Sequence, residues 1–267
     1  MKVLSLSLLL CSFLAGGLFA GEQFFQPMTL DGPDIVAQDP AAESFFWRNT
    51  DPETLRYWPL FFLRSEDLKR KIESSYPLAF SVQRRGVNGA AVLLQPLVPR
   101  LSIEWRKKQF YLTREGKLWE RDHPLNAVLT GIQPPKSPLF IMSDDLPSPR
   151  GTPAEGEVVS SADLPVESYM AWLDGLAKSG WMGAAKSVYV TRRAGHPLLE
   201  LVLRIKEWNI RLLVRGDQDK WREYAEAVSQ ILNEFHFSGE DLIIDTTYTD
   251  RIIVRRVSRG GAEGSGR

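Results

Sequence analysis

Cysteine is almost missing from this chain of 267 residues. Its one example, Cys11, lies inside an N-terminal apolar stretch, so the remainder can form neither disulfides nor thiolate or cysteine-zinc sites. Histidine is scarce as well. His123, His196 and His236 stand far apart, none in an HExxH or similar metal-binding spacing. Charge of either sign is not in excess, since 33 Lys and Arg balance 33 Asp and Glu, and a chain without a basic field is poorly suited to collecting phosphates in bulk. GxSxG elbows, P-loops and GxGxxG turns are also absent. The nearest approaches to paired carboxylates are Asp144-Asp145 in a proline-rich passage and Asp217 with Asp219 at a helix start, where capping is the expected role. No catalytic residue, cofactor or metal site is expected.

What is present begins with one long apolar run. Lys2 precedes VLSLSLLLCSFLAGGLFA, and Val3 to Ala20 as a helix would span about 27 Å, close to the thickness of the hydrocarbon core. Residues 1–21 therefore read as a signal anchor or a signal peptide cut before Gly21, and the rest of the chain is expected outside the cytoplasm. Residues 22–50, rich in Pro, Asp and Gly without a clean period, read as a linker. A short helix is expected from Ser65-Glu66-Asp67, with Leu68 and Ile72 inward, to Pro77. Strands follow at AFSVQRR, GAAVLLQP, RLSIEWRKK and QFYLTREGKLWER, the last turning at Thr113-Arg114-Glu115-Gly116. Asp122 to Glu157 is broken by prolines, with Leu139-Phe140-Ile141-Met142 as its strand. A helix over Pro165 to Ser179 leads to Ser187-Val188-Tyr189-Val190.

The clearest patterning runs from Leu198 to Arg256. Leu199, Leu201, Leu203 and Ile205 alternate, and Ile210, Leu212 and Val214 repeat the alternation, so a hairpin is expected. The period then becomes helical, with Trp221, Tyr224, Ala225, Val228, Leu232 and Phe235 on one stripe and Gly216-Asp217 as the start signal. After Gly239 come Leu242 to Asp245 and a last strand, Arg251 to Arg256, with charge at both ends. Such a strand at a sheet edge either resists pairing or accepts a partner segment. Trp105, Trp119 and Trp221 fall on core-facing positions, and residues 258–267 read as a disordered Gly-Ser tail.

The string IIDTTYTDRIIVRR resembles the end of the FtsQ/DivIB cell-division family, where a hydrophobic-Asp-x-x-Tyr segment turns into the final strand of an extracytoplasmic β domain. NIRLLVRGDQDKWREYAEAVSQIL is similar to that family's strand, Gly-Asp, long helix passage. Pro99 to Trp105 and Tyr111 to Trp119 follow the family's strand and hairpin in the same order, although Glu104-Trp105-Arg106-Lys107 stands where the family has Glu-Arg-x-Pro. The resemblance implies an α+β chain: an N-terminal hydrophobic helix, a small POTRA-like α/β domain over 51–105, and a mixed β-sheet domain with packed helices over 106–257. It also implies a non-enzymatic protein of the inner membrane, single-pass and periplasmic in bulk, that docks FtsB/FtsL-type partners to help assemble the septal peptidoglycan machinery. By the same match Tyr248 is the anchor, and Arg251, Ile252, Ile253 and Val254 supply the pairing backbone. Two alternatives stay open, a POTRA-containing envelope chaperone or assembly protein and a secreted hydrolase of unfamiliar type.

Overall fold

A computed structural model of the protein describes residues 28–143, 146, 156–160, 164–234 and 241–257. The N-terminal apolar segment 1–21 with Cys11, the start of the expected linker, Asp144-Asp145, Phe235, His236, Gly239 and the tail 258–267 lie outside the described residues. The chain divides into two units. One takes in the chain up to Leu97 together with Val128–Gly131, and the other takes in Val98–Ala127 and everything from Ile132.

The first unit lays two helices on a small mixed sheet. Its elements are β1 (Asp31–Ala37), α1 (Pro40–Asn49), α2 (Trp58–Ser75), β2 (Leu78–Arg85) and β3 (Gly89–Pro96). The strand order is β1-β3-β2, with β1 parallel and β2 antiparallel to β3. Phe45, Phe46, Phe61, Leu68 and Ile72 from the helices bury against Leu78, Phe80, Val92 and Leu94 from the sheet. Two expectations change here. The supposed linker carries β1 and α1: β1 is an edge strand, which is why DGPDIVA can hold a proline and show little alternation. The second helix begins at Trp58, well before Ser65, because Pro59 near its start suits the first turn.

Asp39 fixes both the start of α1 and the return of the chain at residue 130. It is 3% exposed; its Oδ1 accepts from the Ala41 N–H at 2.9 Å, and its Oδ2 from the Thr130 N–H and hydroxyl at 2.7 and 2.8 Å. The Ala41 bond, opposed by burial and reinforced by Thr130, holds the carboxyl below its ordinary range.

The second unit is built on a ten-stranded sheet. Its strands are β4 (Leu101–Trp105), β5 (Lys108–Leu112), β6 (Lys117–Glu120), β7 (Leu139–Met142), β8 (Val158–Ser160), β9 (Ala185–Arg193), β10 (His196–Ile205), β11 (Trp208–Arg215), β12 (Asp241–Asp245) and β13 (Ile253–Val257), in the order β13-β12-β11-β10-β9-β7-β4-β5-β6-β8. Parallel pairings occur at β11/β12, β4/β7 and β7/β9. β4 thus belongs here and not with the small unit, where the POTRA-like boundary at 105 had put it.

Helices α3 (Val166–Lys178) and α4 (Trp221–Glu234) share one core with Val188, Val190, Leu199, Leu201, Leu203, Ile210, Leu212, Leu242 and Ile244. The alternation in β10 and β11 therefore separates a helix-covered, buried face from a mixed one on which Leu198, Val202 and Leu213 stand among Glu200, Arg204, Asn209 and Arg211. Trp105, Trp119 and Trp221 are all buried. Their environment is packing, with the Trp119 indole donating to Asn126 at 3.0 Å. α4 starts at Trp221, four residues beyond Asp217, so Asp217 is not its cap.

Close approach of α3 and α4 depends on Gly175. A Cβ there would lie 2.1 to 2.4 Å from atoms of the Trp221 indole, a rigid ring buried on its own helix. Gly175→Ala would gain about 1 kcal/mol of helix propensity, yet so close an overlap with a rigid ring costs about 2 to 3 kcal/mol, the upper part of the overpacking range. A net loss of about 1 to 2 kcal/mol is expected in urea unfolding followed by tryptophan fluorescence. An equal or higher midpoint would show that the two helices are not in close contact.

A second expectation concerns acid. Because the folded pKa of Asp39 is lowered, its stabilisation is complete above the unfolded carboxylate pKa and drains away as pH falls through the depressed folded value. Asp39→Ala should cost about 2 kcal/mol at neutral pH. The difference between variant and wild type should shrink in an acid titration of unfolding; a constant difference would remove the carboxylate from this role.

Candidate functional site: the open edge at β13

Each element around β13 constrains the next. Ile205 pairs with Trp208 across the tight turn Lys206-Glu207, so β10 occupies one side of β11. The α4 crossover then brings β12 parallel to the other side of β11. β13 returns antiparallel outside β12, with Ile244 opposite Val254 and Asp245 opposite Ile253. Among the described residues no strand pairs with the far side of β13.

The reversal between β12 and β13 is set by Asp245. This carboxylate is buried, and its Oδ1 accepts from the Thr247 N–H at 3.0 Å and the Thr247 hydroxyl at 2.6 Å, an Asx turn that ends the strand. Thr246 goes the other way, its N–H and hydroxyl both donating to the Leu213 carbonyl at 3.0 and 2.8 Å. Alternate anchoring of two successive threonines leaves Tyr248 on the surface, 39% exposed. The Arg251 guanidinium stands 5.3 Å from the centre of the Tyr248 ring.

Tyr248 and Thr247 form one wall of a cleft of about 200 Å³, faced by Arg193, Ala194, His196, Pro197 and Arg215. The opposite wall is the β9–β10 turn. Arg193 pairs with His196 across Ala194 and Gly195, both at positive φ (52° and 85°), the backbone of a two-residue hairpin turn. Arg215 is held by Asp217 through bonds of 3.1 and 2.7 Å, and His196 Nδ1 lies 2.9 Å from the same carboxylate. The Arg215 hydrogen bonds keep the Asp217 carboxyl below its ordinary range. With both oxygens taken by the guanidinium, this carboxylate acts as a structural ion pair for the cleft wall.

The expected site residues divide between strand and connection. Ile253 and Val254 lie in β13; Arg251 and Ile252 precede it, both exposed. Val254 shares the helix-covered face with Ile244 and packs on the core, whereas Ile253 is half-buried beside Asp245. The cleft residues Arg193, Pro197 and Arg215 were not anticipated, although the turn signal Ala194-Gly195 between two alternating runs could have shown where the β9–β10 tip falls.

His123 is 4% exposed and caps a 3-10 turn by accepting from the Leu125 N–H at 3.2 Å. Burial lowers its pKa. Among the described residues no group of three or more His, Cys, Asp or Glu side chains is placed to hold a metal ion.

Replacing Asp245 by Ala should release the β12–β13 reversal at a cost of about 2 kcal/mol, the range for hydrogen bonds to a charged acceptor. Amide hydrogen exchange should quicken more across 253–257 than across 199–205, where it follows the loss of global stability alone. Equal protection of β13 in variant and wild type would show that the Asx turn does not hold the edge.

No protein-family model matches the chain, and no curated protein matches it.

Proposed function

We propose that this chain is a non-enzymatic division protein of the bacterial envelope, held in the inner membrane by its N-terminal segment, that docks an FtsB/FtsL-type partner on β13 and so helps assemble the septal peptidoglycan machinery. The observation that carries this reading is the open side of β13, which offers main-chain donors and acceptors to an added strand. Further support comes from the exposed Tyr248 beside that edge and from the first unit, whose two helices on a three-stranded sheet are what a POTRA-type domain requires. In this reading Tyr248 anchors the partner at the cleft mouth, with Arg251, Ile252, Ile253 and Val254 along the pairing line.

A second reading has its own observation. β1 and β2 are both edges of the small sheet, which favours an envelope assembly protein that holds nascent β segments there. Depleting the protein separates the two: long undivided cells support the division reading, and outer-membrane assembly defects support the other.

Neighbouring residues of a strand aim their main-chain groups alternately to either side. Of Ile253→Pro and Val254→Pro, one therefore removes an outward donor and leaves the β12 ladder intact. That variant should fold normally and lose the FtsB-type partner in a titration with the FtsB/FtsL-type pair, and Tyr248→Ala should weaken binding by about 2 kcal/mol. Unchanged affinity in all three would take β13 out of the interface.

A further inference from the structure

A second surface lies at one end of the first unit, where the chain enters from the N-terminal apolar run. Thr29 bridges to Tyr57, the Leu30 N–H donates to the Arg56 carbonyl at 3.1 Å, and the Asp31 N–H donates to the Asn88 carbonyl at 3.0 Å. Entry point, start of α2 and tip of the β2–β3 hairpin are thereby tied together. Two arginine-aromatic pairs stand there. The Arg84 guanidinium lies 4.5 Å from the centre of the Trp58 ring and also donates to the Val87 carbonyl at 3.2 Å; the Arg56 guanidinium lies 5.4 Å from the centre of the Tyr57 ring. Val87, at a hairpin tip where a polar residue is usual, is 69% exposed.

Tether length decides what this surface meets. Nine peptide steps lead from Ala20 to Thr29, and fully extended they reach at most about 32 Å. If 3–20 lies in a bilayer, Thr29 and the groups tied to it are kept within that distance of the hydrocarbon, and the headgroup layer fills roughly 5 to 8 Å of it. A tyrosine ring with a polar edge, two arginines and an exposed valine are side chains that partition into that layer, while the half-buried Trp58 ring, its indole N–H turned inward, serves as the platform for Arg84. Asp34 is taken by Arg85, and Asp31, with Asp51 and Glu53 of the turn that carries Arg56, offsets the two arginines in net charge, so the attraction for lipid phosphate rests on the guanidinium groups of Arg56 and Arg84 themselves.

We propose that Arg56, Tyr57, Arg84 and Val87 rest in the headgroup region of a bilayer containing anionic phospholipid, holding the first unit against the membrane surface. The inference depends on the membrane reading of residues 3–20 and is independent of docking at β13. Its test uses the full chain with Cys11→Ser and Val87→Cys, an environment-sensitive fluorophore on the new thiol, and nanodiscs of phosphatidylcholine with or without about a quarter phosphatidylglycerol. A probe at Glu226→Cys, on the exposed face of α4, is the control.

In anionic discs the emission at 87 should move to shorter wavelength and quenching by aqueous iodide should fall about threefold, with no change at 226; adding Arg56→Gln and Arg84→Gln should abolish the difference. A probe at 87 as accessible as the one at 226 overturns the proposal, and equal protection in uncharged lipid overturns its anionic part. Release of the wild-type chain from vesicles by carbonate would remove the membrane reading and this inference together, whereas retention without protection at 87 removes the inference alone.

Discussion

The structure around the candidate site depends on one constraint: both sides of β11 are occupied. β10 reaches it through a two-residue turn and leaves no room for a later strand on that side. The only route back to the sheet is the crossover through α4, which delivers β12 parallel to β11. A strand leaving β12 by a short connection can then pair only on the outside. The edge position of β13 is therefore a consequence of chain order and not of anything in β13 itself. What makes the route favourable is the apolar stripe of α4, where Trp221, Tyr224 and Val228 bury against the sheet and the gap at Gly175 lets the tryptophan ring sit flush against α3.

An open edge is a hazard as well as an opportunity, and the composition of β13 bears on both. Arg255 and Arg256 are exposed, Arg251 precedes the strand, and Val254 is turned to the core. A second copy laid antiparallel on this edge would bring arginines close to arginines, and like charges across a strand pair are destabilising. The same residues impose no such penalty on a strand of different sequence. Protection from self-association and openness to a partner are thus compatible, so charge at the ends of the strand did not by itself decide between them.

Much of the second unit was legible because its strands are half-buried. Leu199, Leu201 and Leu203 alternate since one face of β10 carries helices and the other does not, and the change of period at Trp221 marked α4 for the same reason. β1 was not legible. As an edge strand it buries little, and Gly32 and Pro33 remove the residue types that mark strands. The start of α2 is hidden because Trp58 to Leu63 is apolar throughout, which masks a helical period; the available signal is Pro59 itself. The cleft beside Tyr248 could not be read at all, since it joins the β9–β10 turn to a connection some fifty residues later, and sheet order is needed to bring them together. In the Asp-Thr-Thr-Tyr string the geometry supplies a physical role for each residue type: Asp245 closes the Asx turn, Thr246 ties back to Leu213, and the tyrosine is left exposed.

Energetics explains why an edge alone would be a poor docking site and why the proposed anchor matters. Ordering a partner segment costs about 1 to 2 kcal/mol per residue in backbone entropy, while each main-chain hydrogen bond returns only about 1 kcal/mol net, because water competes for the same groups. Each residue of an added antiparallel strand that faces β13 makes two such bonds and its neighbour none, so the ladder returns about 1 kcal/mol per ordered residue and at best breaks even. The difference has to come from apolar burial, at about 1.5 to 3 kcal/mol for each large side chain fully covered. Along this rim the exposed apolar groups among the described residues are Tyr248, Ile252 and Val257, and Tyr248 adjoins a concave wall, formed in part by Pro197 and Ala194. A partner held on β13 would therefore need a side chain that reaches that cleft, and a segment able to pair with the strand but too short to extend past Tyr248 should bind only weakly.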